Sequence, residues 1–179
     1  MKRLLIASLV GSLILFAWQS LSWTALGIHN GQIAYTDKQD DILKALADSG
    51  VQPGFYFLPT VAPGGDSQAV MDAALGKPWA RLSYFESLEN NMGMNMFRGW
   101  VISFASAFLL AWILSQMAGL SMKTAVISGL SVGMIAWMMV TYQESIWFET
   151  DAMPQLLDAF IQWGLVGAWM GYYLPKTKS

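Results

Sequence analysis

Four long apolar stretches constrain this chain more than any other feature of its sequence. Residues 4–23, 97–119, 122–142 and 154–174 hold about 20 residues each, with at most one charged residue in any of them. About 20 helical residues are needed to cross the hydrocarbon core of a bilayer. The sequence therefore predicts an all-α integral membrane protein with four transmembrane helices.

The composition agrees with that prediction. Hydrophobic residues make up 55% of the 179 residues and charged residues only 12%, which is about half the charged share of a soluble domain. Such a chain has too little charge to cover the surface of an ordinary soluble enzyme. The chain contains no cysteine, which excludes disulfides, iron–sulfur clusters, cysteine-ligated zinc and thiol nucleophiles.

The first apolar stretch has two interpretations. Lys2 and Arg3 followed by apolar residues 4–16 are also the pattern of a cleavable signal peptide, and Ser20 and Ser22 form a mediocre cleavage site. We favour an uncleaved anchor, because an even number of helices then places both termini on the same side of the membrane.

Basic residues near the helix ends predict the orientation. Positively charged residues near helix ends are usually cytoplasmic. If both termini are cytoplasmic, all the basic residues near the ends of the predicted helices on that side are accounted for, namely Lys2, Arg3, Lys123, Lys176 and Lys178. All twelve acidic residues then lie on the outer side or just inside its edge. We therefore predict a bacterial inner-membrane, multi-pass protein with transmembrane helix 1 at residues 1–23, an extracytoplasmic cap at 24–96, transmembrane helices 2–4 at 97–174 and a cytoplasmic tail at 175–179.

The cap segment shows short elements. Residues 37–49 are predicted to form an amphipathic helix, and residues 67–75 a second one with Ser67 as its N-cap. Residues 54–59 are predicted to be a strand or an extended segment on the membrane surface, and residues 81–91 a helix that leads into transmembrane helix 2. A cap of this size is marginal as a free domain, so we expect it to pack on the helices or on a partner.

Small residues recur at every fourth position on two predicted helices. The helix-packing candidates are Ser103, Ala107, Ala111, Ser115 and Gly119 on the second helix and Ala125, Gly129 and Gly133 on the third. This spacing lines one face of a helix and lets two backbones approach closely. The residues are predicted either to pack inside one four-helix bundle or to face another subunit.

A methionine-rich segment is the strongest candidate for chemistry. Met92, Met94 and Met96 lie on the predicted outer side just before helix 2, and thioethers are soft ligands suited to Cu(I). If the segment is extended, the three side chains share one face; it then resembles the methionine-rich segments of copper-handling proteins. His29, the only histidine, is a further candidate ligand. The alternative is that the methionines fill the membrane interface and His29 makes an interfacial hydrogen bond. No cofactor is predicted beyond this Cu(I) alternative.

Asp158 is the only acidic residue within a predicted span. Ionisable residues inside a membrane are candidates for function, so Asp158 is either an intramembrane proton or cation site or a surface acid near the helix end. Gln19, Gln116 and Gln162 lie on three different helices at different depths. We expect these glutamines to form hydrogen bonds between helices.

The function predicted from these features is interaction rather than catalysis. No metalloprotease, serine-hydrolase, P-loop or dinucleotide-binding motif is present, so we predict that the protein is not an enzyme, and the acidic outer surface argues against binding nucleic acid. We predict an accessory or scaffold subunit of a larger membrane complex, with the lipid bilayer and other membrane-protein subunits as its partners. The alternative is a transporter or an extracytoplasmic copper-handling protein that uses residues 92–96.

Overall fold

The computed structural model describes residues 1–175 and divides the chain into two compact units. Met1–Ala34 and Asn91–Ser179 form the first, which we call the helical unit, and Tyr35–Asn90 form the second, the hairpin unit. Residues 176–179, which hold two of the basic residues used to predict the orientation, lie outside the described residues.

The chain is 65% helical. In chain order its elements are α1 (Lys2–Thr24), α2 (Gln39–Asp48), β1 (Gly54–Leu58), α3 (Ser67–Ala74), β2 (Ala80–Tyr84), α4 (Met92–Ser115), α5 (Met122–Ala136), a π-helical segment (Trp137–Tyr142), α6 (Gln143–Phe148) and α7 (Met153–Tyr173).

Three helices among residues 1–175 are long and apolar enough to cross a membrane. They are Lys2–Thr24, Met92–Ser115 and the continuous run Met122–Phe148. This confirms the coarse prediction of a mostly helical membrane protein. Helix α7 is 21 residues long but is less apolar than the other three, because it contains Gln155, Asp158 and Gln162.

Two boundaries in the helical unit differ from the sequence prediction. Helix α4 begins at Met92 rather than at residue 97. Helix α5 continues through the π-helical segment and α6 to Phe148, so the helix extends six residues beyond the end of the predicted span at residue 142. Apolar content marks only the part of a helix that suits hydrocarbon, whereas the backbone hydrogen bonds continue beyond it.

Helix α7 packs between α1 and α5, and α1 also packs against α4. Glycines allow the backbones of α5 and α7 to approach each other closely. A Cβ added at Gly129 would lie 2.5 Å from the carbonyl oxygen of Trp163, and one added at Gly167 would lie 2.7 Å from the carbonyl oxygen of Ala125. The two backbones therefore touch, which only glycine permits at these positions.

The small residues on α4 face α1 in the same way. A Cβ at Gly11 of α1 would lie 3.3 Å from Cβ of Ala107, and Ser103, Ala107 and Ala111 are buried. Ser115 and Gly119 are exposed; Ser115 ends α4, and Gly119 has a φ of +68° in the following turn. The buried members of both predicted ladders thus pack within this chain.

The hairpin unit is built on one antiparallel pair of strands. β1 pairs with β2 in a register from Gly54 opposite Tyr84 to Leu58 opposite Ala80. The predicted helix at residues 81–91 is wrong: residues 81–84 belong to β2, and residues 85–91 contain no helix. The backbone groups of β1 need a partner strand, and residues 80–84 supply it. Phe57 contacts Trp79 across the pair with ring centroids 5.6 Å apart.

The two short helices of the hairpin unit are close to their predicted positions. Helix α2 lies inside the predicted 37–49 and ends before Gly50, which has a φ of +70°. The N-cap of α3 is Asp66 rather than Ser67: its Oδ1 accepts hydrogen bonds from the backbone N–H groups of Gln68 and Ala69, at 2.9 and 3.2 Å. A carboxylate also interacts favourably with the helix dipole at this end.

Candidate functional site

The structure brings together two residues that the sequence analysis treated separately. Nε2 of His29 lies 2.8 Å from Oδ2 of Asp158, although the two residues are 129 positions apart. Their exposed fractions are 4% and 7%. Asp158 is therefore buried and not a surface acid, and we call the two residues and their hydrogen-bond partners the His29–Asp158 site.

The last turns of α1 supply two donors to the carboxylate. Oδ1 of Asp158 accepts hydrogen bonds from Nε1 of Trp18, at 2.9 Å, and from Oγ of Ser22, at 2.6 Å. The two donors are four residues apart and therefore share one helix face. The chain then turns at Gly27, with a φ of +65°, which brings His29 back over the end of α1.

The side-chain amides of Gln32 and Gln155 form hydrogen bonds on the Nδ1 side of the imidazole. Nδ1 of His29 lies 2.8 Å from Oε1 of Gln32. Nε2 of Gln32 donates to the backbone oxygen of Asp151 and to Oε1 of Gln155, both at 2.8 Å. The loop after α1 is thus tied to the beginning of α7 through both side chains.

These partners place a proton on Nδ1 of His29. The backbone oxygen of Asp151 can only accept, so the amide nitrogen of Gln32 must face it, and Oε1 of Gln32 must face Nδ1 of His29. Nδ1 therefore carries a proton. Nε2 lies 2.8 Å from Oδ2 of Asp158, while the hydroxyl of Ser22 donates to Oδ1. The imidazole and the carboxyl group are thus joined by a direct hydrogen bond.

The ring of Trp23 covers the imidazole. The two rings are stacked, with centroids 4.0 Å apart and planes 4° apart. The stacked indole therefore covers one face of the imidazole. The site holds a buried His29–Asp158 pair in which both ring nitrogens and both carboxyl oxygens have hydrogen-bond partners.

The geometry suits a structural connection better than group transfer. In a serine–histidine–aspartate triad the two nitrogens of histidine have separate partners, whereas here Nε2 faces both Asp158 and Ser22, at 2.8 and 3.1 Å. Ser22 is wholly buried. In the part of the chain that the structure describes, no group of three or more His, Cys, Asp or Glu side chains is arranged to hold a metal ion.

The three methionines lie on α4, not on an extended segment. Since successive residues of a helix are about 100° apart, Met92 and Met96 share one face and Met94 points away from it. All three are exposed. The nitrogens of His29, the fourth candidate ligand, are engaged by the residues described above.

Sequence reasoning missed four residues of the site. They are Trp18, Ser22, Gln32 and Gln155. The spacing of Trp18 and Ser22 on one helix face was a readable signal, but their convergence on Asp158 depends on how α1 packs against α7. Comparison of the chain with protein-family models, curated proteins and solved structures found no match.

Proposed function

We propose that this protein is a small multi-pass subunit of a bacterial inner membrane that serves as an accessory or scaffold subunit of a larger membrane complex. In this proposal α1, α4, the run from α5 to α6, and α7 are four spans. Both termini are cytoplasmic and the hairpin unit lies outside. The interactions within the helical unit hold the spans together, while the hairpin unit contacts the partner.

The packing of α7 supports its role as a fourth span. It lies between α1 and α5, which are both apolar enough to cross a membrane. Backbone contact at Gly129, Gly133 and Gly167 extends over about two turns, so α7 runs beside α5 at the same depth. Its one acid, Asp158, has a hydrogen-bond partner on both carboxylate oxygens, which lowers the cost of burying it.

The observation that carries the proposal is the exposed apolar surface of the hairpin unit. Tyr84 is the one buried residue between positions 35 and 90. Large apolar side chains of the unit are exposed instead, among them Phe55, Leu75, Trp79, Phe85 and Leu88. A surface this apolar is typical of a protein that binds another protein or a membrane.

Part of this surface forms an apolar groove of about 740 Å³ between the strands and α3. Its lining includes Leu58, Val70, Ala74, Pro78 and Trp79, with Lys77 as the one charged residue. A groove of this kind suits an apolar segment of a partner.

Charge favours a protein rather than a lipid surface as the occupant. The hairpin unit holds eight acidic and four basic residues, a net charge of −4. Anionic lipid headgroups would repel it. We therefore propose that the partner is another membrane-protein subunit, with an apolar segment flanked by basic residues.

The test is gentle detergent extraction of the tagged full chain from its native membrane, followed by native gels and identification of the co-purifying subunits. Trp79→Ser should lose the partner, while Leu88→Ser, an exposed change outside the groove lining, should keep it. A wild-type protein that runs only as a monomer or a homo-oligomer would contradict the proposal.

Copper handling by residues 92–96 is a second proposal, supported by the exposure of Met92, Met94 and Met96. Because Met94 lies on a different face of α4, at most Met92 and Met96 would bind one ion from the same helix face. Cu(I) titration of the wild type and of a variant with Met92→Leu and Met96→Leu, against Met94→Leu as control, tests it. Equal Cu(I) binding by all three would rule it out.

A further inference from the structure

A cleft of about 370 Å³ lies in the helical unit among α1, α4 and α7. Its lining includes five polar side chains: Gln19 on α1, Arg98, Ser103 and Ser106 on α4, and Gln162 on α7. The hydroxyl of Ser103 donates to the backbone oxygen of Gly99. Among residues 1–175 none of the other four side chains has a hydrogen-bond or ion-pair partner. Oε1 of Gln162 is moreover fully buried.

The contrast with the His29–Asp158 site makes this arrangement unusual. There each polar side-chain atom has a partner, whereas here four polar groups converge with none. Ser106 and Gln162 are half-buried between helices, whereas Gln19 and Arg98 are exposed on the surface of the helical unit. Polar groups without partners are costly in either position where hydrocarbon surrounds them. Their convergence on one cleft therefore points to a polar ligand that supplies the missing partners.

The chemistry of the lining identifies the class of ligand. A guanidinium without a carboxylate partner binds phosphate well. The amide groups of Gln19 and Gln162 and the hydroxyl of Ser106 donate to ester or glycerol oxygens, and the amide oxygens accept from hydroxyl groups. Ile102, which is 67% exposed, lies beside Arg98 at the cleft and offers a surface for an acyl chain.

The depths of these groups follow the order of groups in a phospholipid. Arg98 is about 9 Å from the beginning of α4, and Gln162 is about 14 Å from the beginning of α7. Arginine side chains also extend towards the membrane interface. Arg98 and Gln19, which is about 8 Å from the end of α1, are thus nearer the surface, and Gln162 lies deeper, where the glycerol and ester oxygens of a lipid lie.

We propose that this cleft binds one anionic phospholipid, with its phosphate on Arg98 and its glycerol, ester or hydroxyl oxygens on Gln19, Ser106 and Gln162. The proposal is independent of the accessory-subunit function, since all four residues lie in the helical unit. A soluble phosphate monoester shares the headgroup chemistry but lacks the acyl chains, so the experiment includes both.

The test is native mass spectrometry of the full chain in mild detergent, titrated with phosphatidylglycerol, phosphatidylcholine or glycerol phosphate. Phosphatidylglycerol should bind best, because phosphatidylcholine has no headgroup hydroxyl and no net charge. Arg98→Gln should weaken phosphatidylglycerol binding about tenfold. The control is Arg81→Gln, which removes the same charge from the hairpin unit and should leave phosphatidylglycerol binding unchanged.

A second variant separates lipid binding from folding. Gln162→Leu removes a polar group that has no partner within the described chain, so it should leave the thermal stability in lipid-free detergent unchanged or higher, while reducing the preference for phosphatidylglycerol. Equal lipid binding by the wild type and Arg98→Gln would overturn the proposal. It would also be overturned if glycerol phosphate bound as well as the lipid, or if no lipid bound at all, as expected for a cleft filled only by water.

Discussion

The helical unit and the hairpin unit use apolar residues in opposite ways. In the helical unit, Leu110, Leu114, Val166 and Met170 are almost completely buried, and the small residues on α4, α5 and α7 bring the helices into close contact. The hairpin unit buries only Tyr84, and its short helices have no buried residue at all.

The pairs of oppositely charged residue types also differ in burial between the two units. His29 and Asp158 are buried with side-chain exposures of 3% and 9%, whereas the ion pair of Lys44 and Asp48 on α2 has exposures of 74% and 65%. The helical unit therefore owes its stability to specific internal contacts. The hairpin unit has few such contacts, so its large apolar side chains remain exposed.

The largest expected effect tests the close contact between α5 and α7. Gly129→Leu should abolish the folded state or destabilise it by more than about 3 kcal/mol, because even a Cβ there would lie 2.5 Å from a backbone oxygen. Thermal unfolding and gel filtration of the purified chain measure this.

Gly93→Leu is the matched control, since a Cβ at Gly93 of α4 meets nothing within 4 Å. If Gly129 instead faced another subunit, Gly129→Leu would leave the isolated chain as stable as the control. That outcome would remove the proposed difference in internal packing between the two units.

The next effect concerns the His29–Asp158 site. Either His29→Leu or Asp158→Leu alone should cost about 3 kcal/mol, because each leaves its partner buried and unpaired. The double variant should lose less than the sum of the two single variants. Equilibrium unfolding in detergent gives all three values, and purely additive losses would show that the pair does not act as a unit.

The exposed pair of Lys44 and Asp48 is the control for this cycle. Its coupling should be about 0.5 kcal/mol or less, as is usual for ion pairs at the surface of a helix. Nitrogen-15 NMR of the labelled histidine supplies a further check, since Nδ1 of His29 should carry a proton. A ring without a proton on Nδ1 would contradict the assigned hydrogen bond to Gln32.

A smaller effect is expected from the two helix N-caps. Asp66 caps α3 in the hairpin unit, and Ser121 caps α5 through the N–H of Thr124, at 3.1 Å. Asp66→Ala and Ser121→Ala should each cost about 1 kcal/mol. Hydrogen exchange should show a local effect on α3 but an effect on the whole helical unit for α5, because only α5 is part of a packed core.

The smallest effect is expected at the exposed surface of the hairpin unit. Leu88 is fully exposed, so Leu88→Ser should change the stability by less than about 0.5 kcal/mol. The same substitution at Leu110, which is 1% exposed, should cost several times more. A large loss from Leu88→Ser in the isolated chain would mean that the unit packs its apolar residues internally.

Local patterns in the sequence were enough to predict several elements. The long apolar runs predicted α1, α4 and α5, and the amphipathic pattern with its glycine stop predicted α2. The aromatic run at 54–59 left open whether it is a strand, and the structure makes it β1. Residues 81–84 were predicted to begin a helix because their role in β2 depends on β1, which lies more than 20 residues earlier in the chain.

The candidate sites were less predictable for the same reason. His29 and Asp158 were each noted, but their partnership across 129 positions could not be read from local spacing. Gln19 and Gln162 were expected to form hydrogen bonds between helices, yet they line one cleft without a partner among the described residues. Depth along a helix does not specify the direction in which a side chain points.

The sequence by itself determined which segments are apolar enough to form membrane helices and where charge is scarce, because these properties depend on composition over about 20 residues. Only the tertiary structure decided which helices touch, which polar groups are paired and which are not. Those outcomes depend on the rotation of each helix about its axis. That rotation is set by the packing of all the helices together, with close contacts at glycine, and not by the residues of any single segment.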